Sequence, residues 1–324
     1  MIACVAAALL ILPGCTDLME FDHALRGGIK IVSTPDLSVI HTIENISGAR
    51  SVCSLQDCFI VATMEGTLIC FDLESYQQTG SFSIGSPSSS GYFEMEYSPL
   101  ESSVYIIGAL GQIVELHVPD MEIMDSFSVC ETPVDIEVAS GKPYFYVASS
   151  NSCRIYEVRQ ENNFVSRSCV LPSSPTCMAI DHTQDSMLVG TLAETELVST
   201  GVSVMRRRKM SKFPAILAIE SIPGYVSIRL CAVFKTPGIM ATITSYFAPP
   251  LYNGSEPLDG DIHYMCTDSA GTYAYVLSYL GDNTSRLVSY NCTGYSIESQ
   301  LELQGYPLDL EMYPGNTLLV LTAE

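Results

Sequence analysis

One pattern recurs along this chain: a small polar or proline-led start, an alternating strand, a turn, and an apolar strand that ends in a small residue. Clear copies are TPVDIEVASGKPYFYVASSNSCRIYEV from Thr132, SPTCMAIDHTQDSMLVGT from Ser174 and YPLDLEMYPGNTLLVLT from Tyr306. With the second residue after the leading proline as a marker, seven copies align at Arg50, Glu94, Asp135, Cys177, Ile216, His263 and Asp309. A period of roughly 40–45 residues carrying four short strands is the signature of a β-propeller. The last copy stops at Glu324 after two strands, and the two it lacks stand at the other end, in GGIKIVSTPDLSVIHTIE from Gly27. The expected fold is therefore all-β: a seven-bladed β-propeller over residues 27–324, closed by N-terminal strands that complete the C-terminal blade. Such closure removes the open edges at which the chain ends would otherwise invite pairing.

Between the markers, Val, Ile, Tyr and Thr dominate the strand runs while Gly, Asn, Asp and Ser punctuate them. The segments KPYFYVASS, SSVYIIGAL and PGNTLLVLT, with the Pro-x-Asp-Ile/Leu starts at Pro133 and Pro307, resemble YVTN-type propeller repeats. The resemblance implies a propeller fold and specifies no reaction. It weakens over residues 216–258, where YVSIRLCAVFKTPGIMATITSYF lacks the motif, and the family's usual Pro-Asp-Gly turn is replaced by ASGKP and YPGNT. Trp is absent from the chain while Tyr numbers 18, which disfavours the WD-repeat class and its structural Trp-Asp pair.

The first residues read differently. Ala3 to Leu12 is an apolar run followed by Pro13, Gly14 and Cys15. Ten apolar residues are too few to span a bilayer, which takes about 20, and suit the core of a signal peptide. Leu12-x-Gly14-Cys15 resembles the bacterial lipoprotein signal, although no Lys or Arg precedes Cys15. That resemblance implies a signal peptide over residues 1–14, acylation at Cys15, a tether over residues 15–26, and an exported protein anchored by lipid in a bacterial cell envelope.

The chain carries 36 acidic and 15 basic residues, a net charge of −21. Phosphate backbones are repelled by such a surface, so nucleic-acid binding is not expected. The exception is a basic run, Arg206, Arg207, Arg208 and Lys209, with Lys212 close by. It falls just before a new repeat, where the outermost strand of a blade belongs. Charge there guards an edge against pairing; it also offers a dock for an acidic partner or a lipid headgroup.

Acidic residues recur on the strands expected to line the axis: Glu94 and Glu96, Asp135 and Glu137, Asp309 and Glu311. Residues two apart share a face of a strand. Glu94, Asp135 and Asp309, with Arg50 and His263 in the same column, are the candidate ligand-binding set at the channel mouth. Two accounts compete: a hydrated channel whose carboxylates cap backbone N–H groups of neighbouring blades, or a site for a cation or polar ligand. No calcium loop, Gly-x-Ser-x-Gly, His-Glu-x-x-His, Gly-x-Gly-x-x-Gly or phosphate-binding lysine loop is present. No catalytic residue, metal or cofactor is expected. Ten cysteines lie beyond the leader without a metal-binding spacing; most should be buried free thiols, with Cys53–Cys58 and Cys169–Cys177 the best disulfide candidates.

The reading favoured by the sequence is an envelope-tethered, monomeric propeller that binds a protein or a polar ligand without catalysis. The alternative is a lactonase-like hydrolase or lyase with its chemistry at the channel mouth.

Overall fold

A computed structural model of the chain describes residues 26–85, 92–108, 111–118, 120–180, 186–193, 195–201, 204–209, 216–221, 230–234, 239–245, 251–313 and 316–323. The regular elements among them are all strands. In chain order they are β1 (Arg26–Ser33), β2 (Ser38–Ser47), β3 (Ala49–Ser54), β4 (Cys58–Thr63), β5 (Thr67–Asp72), β6 (Gln78–Ser83), β7 (Tyr92–Ser98), β8 (Ser103–Gly108), β9 (Gln112–His117) and β10 (Glu122–Ser128). There follow β11 (Pro133–Val138), β12 (Tyr144–Ser149), β13 (Arg154–Arg159), β14 (Phe164–Val170), β15 (Pro175–Ile180), β16 (Ser186–Thr191), β17 (Thr195–Ser199), β18 (Arg206–Lys209), β19 (Ile216–Ser221) and β20 (Leu230–Phe234). The last are β21 (Ile239–Ser245), β22 (Leu251–Pro257), β23 (Asp261–Thr267), β24 (Tyr273–Gly281), β25 (Thr284–Asn291), β26 (Ser296–Gln304), β27 (Tyr306–Tyr313) and β28 (Thr317–Ala323).

These strands form four-stranded antiparallel sheets arranged as a β-propeller. Six sheets take four consecutive strands each, from β3–β6 through β23–β26, and one has the order β2-β1-β28-β27. In that sheet β1 pairs with β28 from Gly27 opposite Ala323 to Ser33 opposite Thr317. The first strand of each sheet lies against the first strand of the next: β3 on β7, β7 on β11, β11 on β15, β15 on β19, β19 on β23, β23 on β27, and β27 back on β3.

Sequence pattern explains the layering. The second strands are near-continuous apolar runs, FIVA in β4, VYII in β8, FYVA in β12 and LLVL in β28, and all of these residues are buried. A strand covered on both faces must read this way. The outer strands are exposed or alternate, as in EIMDSFS of β10 and QTGSFS of β6. Apolar clusters fill the space between neighbouring sheets. In one, Tyr105 stacks on Phe145 with ring centroids 4.4 Å apart, joining the β7–β10 and β11–β14 sheets.

Every inner strand carries a one-residue bulge near its start. The register jumps between Ala49 and Ser51, Tyr92 and Glu94, Pro133 and Asp135, Pro175 and Cys177, Ile216 and Ala218, Ile262 and Tyr264, and Pro307 and Asp309. A bulge leaves one residue unpaired and re-aims the side chains that follow. Proline, which lacks an N–H, is tolerated at such a break, and it stands there in three of the seven strands. The equivalent residues after the bulge are Ser51, Glu94, Asp135, Cys177, Ala218, Tyr264 and Asp309. This corrects the column expected from sequence: Arg50 and His263 are the bulged residues themselves, one place ahead of Glu94, Asp135 and Asp309, and Ile216 lies two places ahead of its true counterpart.

The next residue along each inner strand, Val52, Met95, Ile136, Met178, Ile219, Met265 and Leu310, is apolar and buried between sheets. Alternation then returns Glu96, Glu137 and Glu311 to the side of Glu94, Asp135 and Asp309. Neither candidate disulfide, Cys53–Cys58 or Cys169–Cys177, is formed. Cys53, Cys58, Cys169 and Cys177 are free, as are Cys70, Cys130, Cys153, Cys266 and Cys292. Cys53 pairs in register with Ile60 and Cys58 with Asp72, so neither faces the other across the ladder.

Candidate functional site at the axial end of the ring

The acids of the inner strands converge. Asp309 lies on β27, and its Oδ2 accepts hydrogen bonds from Ser51 Oγ and from the Val52 backbone N–H on β3, both at 2.8 Å. Asp135 on β11, three sheets further around, repeats the arrangement in part: its Oδ2 accepts the Met178 N–H of β15 at 2.5 Å. Two residues further along β27, Glu311 Oε1 accepts from Ser54 Oγ at 2.8 Å. Each of these three carboxylates therefore ties one inner strand to the next.

The same crowding perturbs their protonation. Burial raises Asp135 to about 7 and Asp309 to about 6, against the opposing pull of the N–H groups that each accepts. Burial likewise raises Glu311 to about 7, with the Asp309 charge adding to the effect. Glu94 is raised well above the usual carboxylate range, first by burial and then by the charges of Asp135, Glu96, Asp309 and Glu137. All four side chains nevertheless keep part of their surface accessible. Groups enclosed by protein yet still wetted are those lining a narrow lumen. Like charges so close resist simultaneous ionisation.

A second group sits beside these acids. Arg50 is 8% exposed; burial lowers the pKa of its guanidinium, and the phenols of Tyr264 and Tyr306 act in the opposite sense. Tyr264, which follows the bulge of β23, has its own pKa raised by burial, by Asp309 and by Tyr306, while Arg50 lowers it and Glu94 adds to the rise. The hydroxyl of Tyr264 thus lies in the fields of one buried cation and two carboxylates. The rings continue outward: His263 meets Tyr306 edge-on at 5.0 Å, Tyr306 lies 4.9 Å from Tyr279, and His263 lies 6.2 Å from Tyr264. Arg50, His263, Tyr264, Tyr279, Tyr306, Asp309 and Glu94 come from four different sheets.

Glycines set the two strand starts that deliver this group. Gly48 has φ +67° and abuts the Glu65 carboxylate, which an added Cβ would meet at 2.5 Å. Gly305 has φ +109°, and a Cβ there would lie 2.6 Å from the Ala323 carbonyl. Both positions require the conformational freedom of glycine, and each immediately precedes the start of an inner strand carrying Arg50 or Tyr306.

Of the residues expected from sequence, Glu94, Asp135 and Asp309 are brought to one level, and Arg50 and His263 stand one place ahead of it on their own strands. Sequence reasoning missed Tyr264, Tyr279 and Tyr306. The signal was present in DIHYM and QGYPLD, where a tyrosine holds the post-bulge position of β23 and the first position of β27. Among the described residues, no group of three or more His, Cys, Asp or Glu is arranged to hold a metal ion.

The basic run forms β18, the outermost strand of its sheet. Arg206 and Arg207 are both exposed, and Arg207 also pairs with the fully buried Glu196 at 3.4 Å. The Arg208 and Lys209 side chains lie outside the described residues, as does Cys15. No described helix is long and apolar enough to cross a membrane.

No family model matches the chain, and no curated protein sequence is detectably similar to it. Among solved structures it is similar to Kuenenia stuttgartiensis hydrazine synthase, with a TM-score of 0.68 at 11% identity, over 86% of this chain and 95% of that one. A likeness at that identity bears on the fold alone, and the fold is a β-propeller.

Proposed function

We propose that the protein is a seven-bladed propeller, closed by its N-terminal strands, that binds a protein or polar ligand at one axial end without catalysing a reaction. The observation that carries this reading is the convergence, from four sheets, of Arg50, His263, Tyr264, Tyr306, Glu94 and Asp309 on one end of the ring. Partly accessible aromatic rings beside buried charge are the usual makeup of a recognition site. Loops and strand starts that meet on a rigid ring hold such groups in fixed geometry without a folding cost on binding.

The chain is exported and held at a cell envelope by acylated Cys15, a reading supported by the short apolar leader and Leu12-x-Gly14-Cys15. The tether then leaves the ring free to present its ends. A second contact for an acidic partner lies on β18, where Arg206 is exposed.

The test is site-specific photocrosslinking in the native host. A photoreactive amino acid replaces Tyr306 in one variant and Phe164, 66% exposed on an outer strand, in another. A discrete adduct from position 306 and none from 164 is the expected result. Adducts from 164 alone would move the binding surface to the outer rim and overturn the axial reading.

A further inference from the structure

We propose a calcium site between the β7–β10 and β11–β14 sheets, held by Glu115, Asp125 and Asn163. It stands on the third and fourth strands of its sheet and is independent of the axial reading above.

The pairing register builds the acid pair. Tyr105 on β8 lies opposite Glu115 on β9, which lies opposite Asp125 on β10. Residues opposite one another share a face of the sheet, so the three form one row. That row faces the next sheet, because Tyr105 stacks on Phe145 of β12. Asn163, between β13 and β14, reaches across the gap. Its Nδ2 donates to Glu115 Oε2 at 2.8 Å and to Asp125 Oδ2 at 3.0 Å. Glu115 Oε1 is held in turn by Ser103 Oγ at 3.1 Å.

Two polar atoms beside these acids are buried without a partner. One is Asn163 Oδ1, on the same amide that touches both carboxylates. The other is the hydroxyl of Tyr105, a side chain that is 0% exposed and stands directly opposite Glu115. Buried polar groups are nearly always satisfied, so two orphans at one place point to a bound species. Without an ion, the amide NH2 stands between the two acids and leaves its oxygen unpaired. Turning the amide end for end brings Oδ1 to the same two carboxylate oxygens. Three oxygens about 3 Å apart repel one another unless a cation lies among them, and that is the spacing of adjacent ligands held about 2.3–2.6 Å from calcium. A water kept by the ion then serves the Tyr105 hydroxyl. Asp125 is exposed and Asn163 precedes an outer strand, an irregular oxygen set that suits calcium better than the strict octahedron of magnesium. With only two carboxylates the site is weak, with a Kd of about 10⁻⁴–10⁻³ M, the range of extracellular modules.

The test is titration of calcium chloride into chelator-treated, full-length protein, followed by calorimetry and by thermal melting, with magnesium chloride as the comparison. Calcium at tenfold excess over its Kd should raise the melting temperature by about 2–4 °C, and magnesium should bind more weakly. Asp125→Asn should abolish the calcium shift, whereas Glu94→Gln in the lumen should leave it. Asn163 has φ +56°, which aspartate also tolerates. Asn163→Asp should therefore fold, melt below the parent without calcium, and bind calcium about tenfold more tightly because the site gains a charge. No heat and no shift at millimolar calcium would overturn the proposal and leave buried water as the partner of the two orphans. A shift that survives Asp125→Asn, or an Asn163→Asp variant that binds calcium no better than the parent, would overturn it as well.

Discussion

Asp309 on β27 accepts the backbone N–H of Val52 on β3 at 2.8 Å, so a side chain from the last inner strand completes the backbone bonding of the first. The same carboxylate takes the Ser51 hydroxyl. These bonds join the part of the chain that ends the sequence to the part that begins it, at the level where the acids of the lumen gather.

Removing that stitch should be costly. Asp309→Ala leaves the Val52 N–H and the Ser51 hydroxyl without their acceptor in a crowded site, a loss of about 1–3 kcal/mol. Asp309→Asn keeps an acceptor oxygen and removes a buried charge, so it should lose less than the alanine variant. Urea unfolding of both variants at pH 7 checks the order; an alanine variant as stable as the parent would show that the bond carries no load.

The lumen acids set the sign of the pH dependence. An unfolded Asp or Glu titrates near 4, whereas burial raises Asp309 to about 6 and Asp135 and Glu311 to about 7. Between those values the folded state binds more protons than the unfolded one. Unfolding free energy must then fall as pH rises. These three groups therefore leave stability untouched below about pH 4 and lower it progressively to about pH 7, where the penalty is complete. Chemical denaturation from pH 4 to 8 should show that decline, and Asp135→Asn should flatten it. Stability that climbed over this range would mean that other groups dominate.

Deleting residues 317–323 should abolish cooperative unfolding. The deletion strips β1 of its partner from Gly27 to Ser33 and removes Leu318, Leu319, Val320 and Leu321, each fully buried. Burial of one such side chain contributes about 1.5–3 kcal/mol, so the four together rival the 5–15 kcal/mol typical of a whole domain. Scanning calorimetry is the check, and a sharp endotherm near that of the full chain would contradict the pairing.

The nine described cysteines should remain thiols in the purified protein. Buried Cys53 and Cys70 have their pKa values raised, Cys70 to about 12, and Cys130 is raised to about 11, in each case chiefly by burial. Thiolate is the reactive form, so alkylation at pH 8 should be slow at all three until the protein is denatured. Mass spectrometry with and without reductant should give the same mass; a difference of two daltons per bridge would reveal a disulfide.

The repeat was legible because strand alternation and apolar runs are dictated by burial, and burial recurs in every sheet. Proline served as the ruler: where Pro133, Pro175 and Pro307 stand before the bulge, the column read from sequence coincides with the register. In the sheets that begin with Ala49 and Asp261 no proline stands before the bulge, and the column slipped to Arg50 and His263; in the sheet that begins with Ile216 the proline, Pro214, precedes the strand in sequence and set the column two places early, at Ile216. A bulge is a feature of backbone pairing with no obligatory residue, so its place could not be read there. That slip hid Tyr264, whose importance comes only from sharing a level with Asp309. The Arg207–Glu196 pair was hidden for a related reason: Glu196 lies on the neighbouring strand, and a charge run in sequence looks alike whether or not one of its members has a buried partner.

The convergence of Glu94, Asp135 and Asp309 brings the inner strands of three sheets to one level and underlies the proposed site. Carbon-13 NMR of the side-chain carboxyls, titrated from pH 3 to 9, measures it most directly. The account predicts midpoints of about 6 for Asp309 and about 7 for Asp135, with Asp135 changing when Glu94 is replaced by Gln. Midpoints near 4 for both, unaffected by Glu94→Gln, would show acids that stand apart in water and would contradict it.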